Sequence, residues 1–207
     1  MQFFRRAGGN PGRLGVFPGS FNPLTTAHLS LARSALRLVD EVVFVLPRSF
    51  PHKPYRDTSL EQRVELLQAG LAAEPASAFS IAVSDRGLFV EIARDCREAY
   101  GEQVRLSFLC GRDAAERVAA WDYGRPGAWQ EMLQEFDLLV APRGGEYLPG
   151  PGELALFGQI ALDPQCESVS ATEVRRRIAM EQPWEHLVPE ATRALVRKFY
   201  GASGPTD

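Results

Sequence analysis

The sequence predicts an α/β fold, an open parallel sheet with helices on both of its faces. Three observations carry that prediction. From Leu14 onward, short runs rich in β-branched and aromatic residues alternate with longer segments whose apolar residues recur at helical spacing. The short runs are almost continuously apolar rather than alternating, as expected of parallel strands buried on both faces. Finally, 207 residues are enough for one substantial core, near the usual size of a single α/β domain.

Strands are expected at residues 14–17, 42–46, 79–83, 104–110, 137–141 and 159–162, and helices at 27–38, 60–73, 89–100, 114–121, 172–181 and 190–200. The second helix carries its own start signal. Ser59 and Gln62 have the spacing of a capping box, and Leu60, Val64, Leu67 and Leu71 form one apolar stripe. Residues 142–152, rich in proline and glycine, read as a surface loop. Residues 1–13, basic through Arg5, Arg6 and Arg13, read as an untethered extension; residues 14–201 read as one domain and 202–207 as a tail.

Composition narrows the function. With 23 basic against 26 acidic residues the formal charge is -3, so nothing suggests nonspecific attraction to nucleic acid or an acidic membrane, and any phosphate binding has to be local. The three cysteines, Cys96, Cys110 and Cys166, are far apart and fit neither a disulfide framework nor metal-ligand spacing; no protein-held metal is expected. No apolar run approaches the roughly 20 residues that span a bilayer, and a cytoplasmic protein is expected. A homo-oligomer is left open.

In open α/β sheets ligands bind beyond the carboxyl ends of the strands. The most informative such place follows the first expected strand, where Pro18-Gly19-Ser20-Phe21-Asn22-Pro23-Leu24-Thr25-Thr26-Ala27-His28 runs through a tight loop into a helix. Gly19 permits close backbone approach, Asn22-Pro23 favours a turn, and Thr25 or Thr26 can cap a helix with His28 in its first turn. A polyphosphate there would meet unpaired amides, the positive helix end and the imidazole. A second anion site follows the last expected strand. Ser170 can cap a helix with Glu173 at its third position, the Ser170 and Thr172 hydroxyls can hold phosphate oxygens, and Arg175 adds a forked cation about one turn along.

Thr25-Thr-Ala-His28 and Ser170-Ala-Thr172-Glu-Val-Arg175 together resemble the paired motifs of the His/Thr-x-Gly-His nucleotidyltransferase superfamily. Within it the chain is most similar to the nicotinate- and nicotinamide-mononucleotide adenylyltransferases: Pro51-His52-Lys53 with Arg63 resembles their Pro-His-Lys loop and downstream arginine, Gly111-Arg-Asp113 with Trp121 their Gly-x-Asp and tryptophan, and Leu187-Val-Pro189 their C-terminal segment. Alanine replaces the motif glycine at position 27, Thr25 stands for the commoner histidine, and Asn22 for a frequent aspartate. Residues 84–90 lack the polar side chains with which the bacterial enzymes help hold the pyridine carboxylate.

The resemblance implies a Rossmann-like fold that transfers AMP from ATP to a pyridine mononucleotide, with Mg²⁺ arriving on the ATP. It assigns catalysis to His28, Thr25, Lys53 and Arg175. ATP binding falls to Pro18, Gly19, Ser20, Phe21, Gly111, Asp113, Ser170 and Thr172 together with His28 and Arg175. The acceptor is left to Asn22, Lys53, Leu88, Phe89, Trp121 and Arg143, with backbone amides near Leu88 available to a carboxylate or carboxamide. Two rivals stand beside this: another phosphate acceptor such as phosphopantetheine, and a nucleotide sensor with little turnover.

Overall fold

Every residue of Glu41–Pro47 is buried, and its side chains divide strictly between two cores. Val42, Phe44 and Leu46 pack on one face of the sheet, Val43 and Val45 on the other, as the two-residue period of a strand requires. A continuous apolar run is thereby explained: this strand has helices above and below it. The computed structural model describes residues 1–49, 58–124, 127–142, 145, 147–150 and 157–201.

In chain order the elements are β1 (Gln2–Arg5), β2 (Arg13–Pro18), α1 (Thr26–Ala35), β3 (Glu41–Pro47), α2 (Leu60–Gly70), β4 (Phe79–Ser84), α3 (Phe89–Tyr100), β5 (Arg105–Gly111), α4 (Arg112–Ala119), α5 (Ala128–Met132), β6 (Asp137–Ala141), β7 (Phe157–Gln159), α6 (Ala171–Ala179) and α7 (Arg193–Tyr200). The sheet order is β1-β4-β3-β2-β5-β6-β7, and every pairing except β1 with β4 is parallel. This is the Rossmann-like architecture expected. Helices α1 and α2 bury Leu29, Ala32, Val64 and Leu67 against one face, and α3 to α5 bury Ile92, Cys96, Ala115 and Trp129 against the other. The chain winds outward from β2 toward β4, then returns to place β5 on the opposite side of β2. The strand order therefore reverses between β2 and β5, where such sheets open a crevice.

A third cluster joins α6 and α7 to α2 through Val174, Trp184, Leu187, Val188, Val196 and Leu66. It fixes where α6 begins. Thr26 Oγ1 at the start of α1 donates to the carbonyl of Leu187 at 3.3 Å, and the Asp163 amide donates to Ser30 Oγ at 3.1 Å, so this late segment is stitched to the first helix.

Several expectations are corrected. The N-terminal residues are not an untethered extension: β1 pairs antiparallel with β4, and the arginines are used locally. The Arg5 guanidinium donates to the carbonyls of Leu71, Glu74 and Pro75 just past the end of α2, where helical carbonyls lack partners. Arg6 lies over the rings of Phe3 and Tyr100, 4.7 and 5.1 Å from their centroids, and donates to Ala99 O at 2.7 Å. The last strand ends at Gln159 rather than 162. The expected helix 190–200 begins as a 3-10 turn, Glu190–Thr192, before α7. Helix α5 was not foreseen; it is one turn long and enters through the left-handed Gly127.

Arg5→Ala should lower unfolding stability by about 1–3 kcal/mol, because it strips a charged donor from three carbonyls. Denaturant titration measures this; an unchanged midpoint would show that the arm contributes nothing to the fold.

Candidate active site

The loop after β2 is built around one fully buried residue, Thr25. Its backbone is extended and it caps α1: the hydroxyl accepts from the His28 amide at 3.4 Å, while the Thr25 amide donates to His28 Nδ1 at 3.0 Å. This is a capping box in which histidine takes the place of the usual glutamate. The three-residue spacing of threonine and histidine therefore has a physical reason. Because a backbone amide can only donate, Nδ1 accepts, and the neutral ring carries its hydrogen on Nε2. The imidazole is held further by Phe21 and Phe17, whose ring centroids lie 5.2 and 5.9 Å away.

Gly19 and Phe21 are matched to that task. Phe21 is buried in the left-handed region at φ 40, and a Cβ on Gly19 would stand 2.8 Å from its ring. The Gly19 amide donates to Val45 O at 3.0 Å. Gly19 thus serves by being small beneath the Phe21 ring, and its amide, expected for ATP, is committed to β3.

Opposite this loop, Ser170 caps α6 by accepting from the Glu173 amide at 3.0 Å. Glu173 does not return the bond. Its carboxylate lies 2.8 Å from Arg176 and 2.7 Å from Arg177, whose hydrogen bonds hold its pKa down at about 2. Arg175 reaches across: one guanidinium nitrogen donates to the carbonyl of Asn22, and the other lies 3.5 Å from Thr172 Oγ1.

His28 and Arg175 therefore line one cleft, of about 520 Å³, at the switch point of the sheet. Pro18, Gly19, Ser20, Phe21, Ser170 and Thr172 line it too, as do Gly111 and Asp113 at the start of α4. Leu88, Phe89 and Trp121 line it as well. Phe89 is fixed there by stacking on Phe108 at 4.6 Å, and the Leu88 amide donates to Glu91 Oε2 at 3.2 Å.

Two expected site residues sit elsewhere. Thr25 has no exposed surface, so it holds His28 rather than touching a ligand. Asn22 is buried outside the lining of the cleft, its Oδ1 accepting from Thr58 Oγ1 at 3.0 Å and from the Tyr200 hydroxyl. Arg63 stabilises this node from within the core, donating from Nε to Thr58 Oγ1 at 3.0 Å. Lys53 and Arg143, with Pro51 and His52, lie outside the described residues. The cleft also contains Arg117, Tyr123 and Cys166, which the motif reading passed over. Arg117 was open to detection, since it stands one helical turn after Asp113 on α4. Nothing in the local pattern marks Cys166, whose thiol is less buried than those of Cys96 and Cys110, which burial pushes up to about 12.

A family model described as cytidylyltransferase-like matches residues 16–177, which include both helix starts of the cleft. The chain belongs to that family. A probable nicotinate-nucleotide adenylyltransferase of Thermus thermophilus is 31% identical over 191 residues, covering 90% of this chain and 97% of that protein. A protein of the same name from Moorella thermoacetica is 28% identical over 200 residues, covering 90% of both. The solved structure of Plasmodium falciparum nicotinic acid mononucleotide adenylyltransferase complexed with NaAD has TM-score 0.70 at 18% identity, covering 90% of this chain and 95% of that one. That neighbour shares the fold. As a member of this family the chain is a nucleotidyltransferase.

Gly19→Ala should displace the Phe21 ring and with it the imidazole. Since misplacing a catalytic group by about 1 Å costs on the order of 100-fold, turnover should fall at least tenfold while the far-ultraviolet circular dichroism stays native. Unaltered turnover would show that His28 does not depend on this packing.

Proposed function

We propose that the chain transfers AMP from ATP to the phosphate of nicotinate or nicotinamide mononucleotide, forming the dinucleotide and pyrophosphate in NAD biosynthesis. The supporting observation is the convergence of two distant helix starts, with His28 and Arg175, on one cleft that Trp121 also lines. The relatives' names point the same way.

The reaction is an in-line displacement. An acceptor phosphate oxygen bonds to the α-phosphorus of ATP, the bond from that phosphorus to the bridging oxygen breaks, and pyrophosphate leaves with the electron pair. No covalent enzyme intermediate is needed. What the chain supplies is orientation and stabilisation of negative charge on the phosphoryl oxygens. His28 serves through its Nε2–H, Arg175 through its guanidinium, and Ser170, Thr172 and the first amides of α6 through neutral donors. Trp121 stacks on the pyridine ring. On the resemblance, Lys53 adds a cation and Arg143 a contact to the acceptor.

Mg²⁺ accompanies ATP in this reading and neutralises phosphate charge. Among the described residues no cluster of three or more potential ligands exists, and Asp113 is the acidic residue that lines the cleft. That donor set fits a hard cation held mainly by phosphates and water, with Asp113 holding it or a ribose hydroxyl. Among the described residues no helix is long and apolar enough to cross a membrane. A cytoplasmic enzyme that binds no nucleic acid belongs to the same reading.

The test is pyrophosphate release from ATP with nicotinate mononucleotide, nicotinamide mononucleotide and phosphopantetheine supplied separately. Release with a pyridine mononucleotide, reduced about 10²- to 10³-fold in His28→Ala while the far-ultraviolet circular dichroism stays native, is the expected outcome. Release only with phosphopantetheine would refute the acceptor; ATP binding without release in any mixture would make the chain a sensor.

A further inference from the structure

Tyr200 lies outside the lining of the cleft and outside residues 16–177, which the family model covers, yet its hydroxyl ends on the loop after β2. It closes α7 and is buried, with its ring in the apolar cluster shared by α2, α6 and α7. A phenylalanine would fill that space equally well. What the tyrosine adds is a hydroxyl, which donates to Asn22 Oδ1 across 178 positions of the chain. The same oxygen accepts from Thr58 Oγ1 at 3.0 Å. The buried Arg63 donates to Thr58 Oγ1 and to the Thr58 carbonyl, each at 3.0 Å, so Thr58 is held by α2 and can pass its own hydrogen on. An amide oxygen has two lone pairs, and here both are engaged. The Asn22 side chain is thereby pinned between the start of α2 and the end of α7.

We infer that Tyr200 is a positioning residue for ATP: by fixing Asn22 it holds the Arg175 guanidinium where the triphosphate binds. This rests on the adenylyltransferase reading in so far as ATP is the ligand of the cleft, and extends it to a helix that does not touch the ligand. The link is the main-chain carbonyl of Asn22, which accepts from the Arg175 guanidinium. Side-chain oxygen and carbonyl belong to one residue, so a donor that fixes the first also limits the movement of the second. Arg175 has little else to direct it from its own helix. Thr172 Oγ1 lies 3.5 Å from its other terminal nitrogen, at the limit of a hydrogen bond, and holds it weakly.

The gain is one of preorganisation. Freezing a long, rotamer-rich side chain when a ligand arrives costs affinity. A carbonyl that takes up one edge of the planar guanidinium beforehand leaves the remaining N–H groups already aimed, provided that the carbonyl itself does not move. Packing alone does not give that direction. Val174, next to Arg175, lies in the same apolar cluster as Tyr200, so α6 and α7 stay joined with or without the hydroxyl. Removing the hydroxyl therefore leaves the packing in place and takes away only the aim.

The experiment measures kcat, KM for ATP and KM for the pyridine mononucleotide, with ATP affinity from calorimetric titration in the presence of Mg²⁺, in the wild type, Tyr200→Phe, Val196→Ala, Arg175→Ala and the Tyr200→Phe, Arg175→Ala double variant. Tyr200→Phe should raise KM for ATP and weaken ATP binding about fivefold while KM for the mononucleotide stays level. Added to Arg175→Ala the same change should have no effect, because the guanidinium through which the hydroxyl acts is gone. Val196→Ala opens a gap in the same cluster without touching the hydrogen bond, so it should lower thermal stability and leave ATP affinity unchanged. An unaltered ATP affinity in Tyr200→Phe, an equal loss with and without Arg175, or an equal loss in Val196→Ala overturns the assignment. ATP binding that follows the expected pattern without turnover of any acceptor would leave the role of Tyr200 standing and defeat adenylyl transfer instead.

Discussion

The hydrogen bond from the Arg175 guanidinium to the carbonyl of Asn22 is the contact on which the site depends. It connects residues 153 positions apart and sets the start of α6 against the loop that leads into α1. A triphosphate presents anionic oxygens on all sides, and one helix start can face only part of them. Two helix starts at a fixed separation can serve both flanks, provided that the separation is set before the ligand arrives. Asn22 sets it twice: its carbonyl takes Arg175 from α6, and its side chain takes Thr58 ahead of α2 and Tyr200 at the end of α7. The apolar cluster of α6, α7 and α2 provides the rigidity behind that node.

Much of this was legible in the sequence, for identifiable reasons. Strands buried on both faces must be apolar throughout, so β3 and β4 declared themselves, and with them the parallel sheet. The Thr25–His28 spacing was readable because it is at once a capping spacing and a motif: the geometry that satisfies the first amides of α1 also orients the imidazole. Ser170 and Arg175 were readable for a similar reason, one as a helix cap and the other by its place about a turn further on.

What escaped notice depends on contacts far away in the chain. Strand β1 is four residues long and contains a charged residue, so neither length nor patterning marks it; it becomes a strand because β4 offers an edge and the end of α2 offers carbonyls to Arg5. Asn22 looked like a ligand contact because it sits within the loop after β2, but its side chain satisfies buried hydroxyls brought in from Thr58, just ahead of α2, and from Tyr200 of α7. Gly19 invited the usual explanation of close approach by a ligand, and the close approach is by Phe21. Glu173 sits in the first turn of a helix proposed to hold phosphate, where a bare charge would be a liability; its carboxylate is taken up by salt bridges to Arg176 and Arg177. In each case local sequence supplies the residue and tertiary packing decides its partner.

In the proposed reaction His28 and Arg175 act on one ligand as a unit. A double-mutant cycle on adenylyl transfer, comparing His28→Ala, Arg175→Ala and the combined variant, tests it most directly. If both side chains grip the same triphosphate, the losses should fall short of additivity by more than about 1 kcal/mol of coupling. Full additivity within about 0.5 kcal/mol would mean that the two groups act on separate events, and the shared site would have to be abandoned.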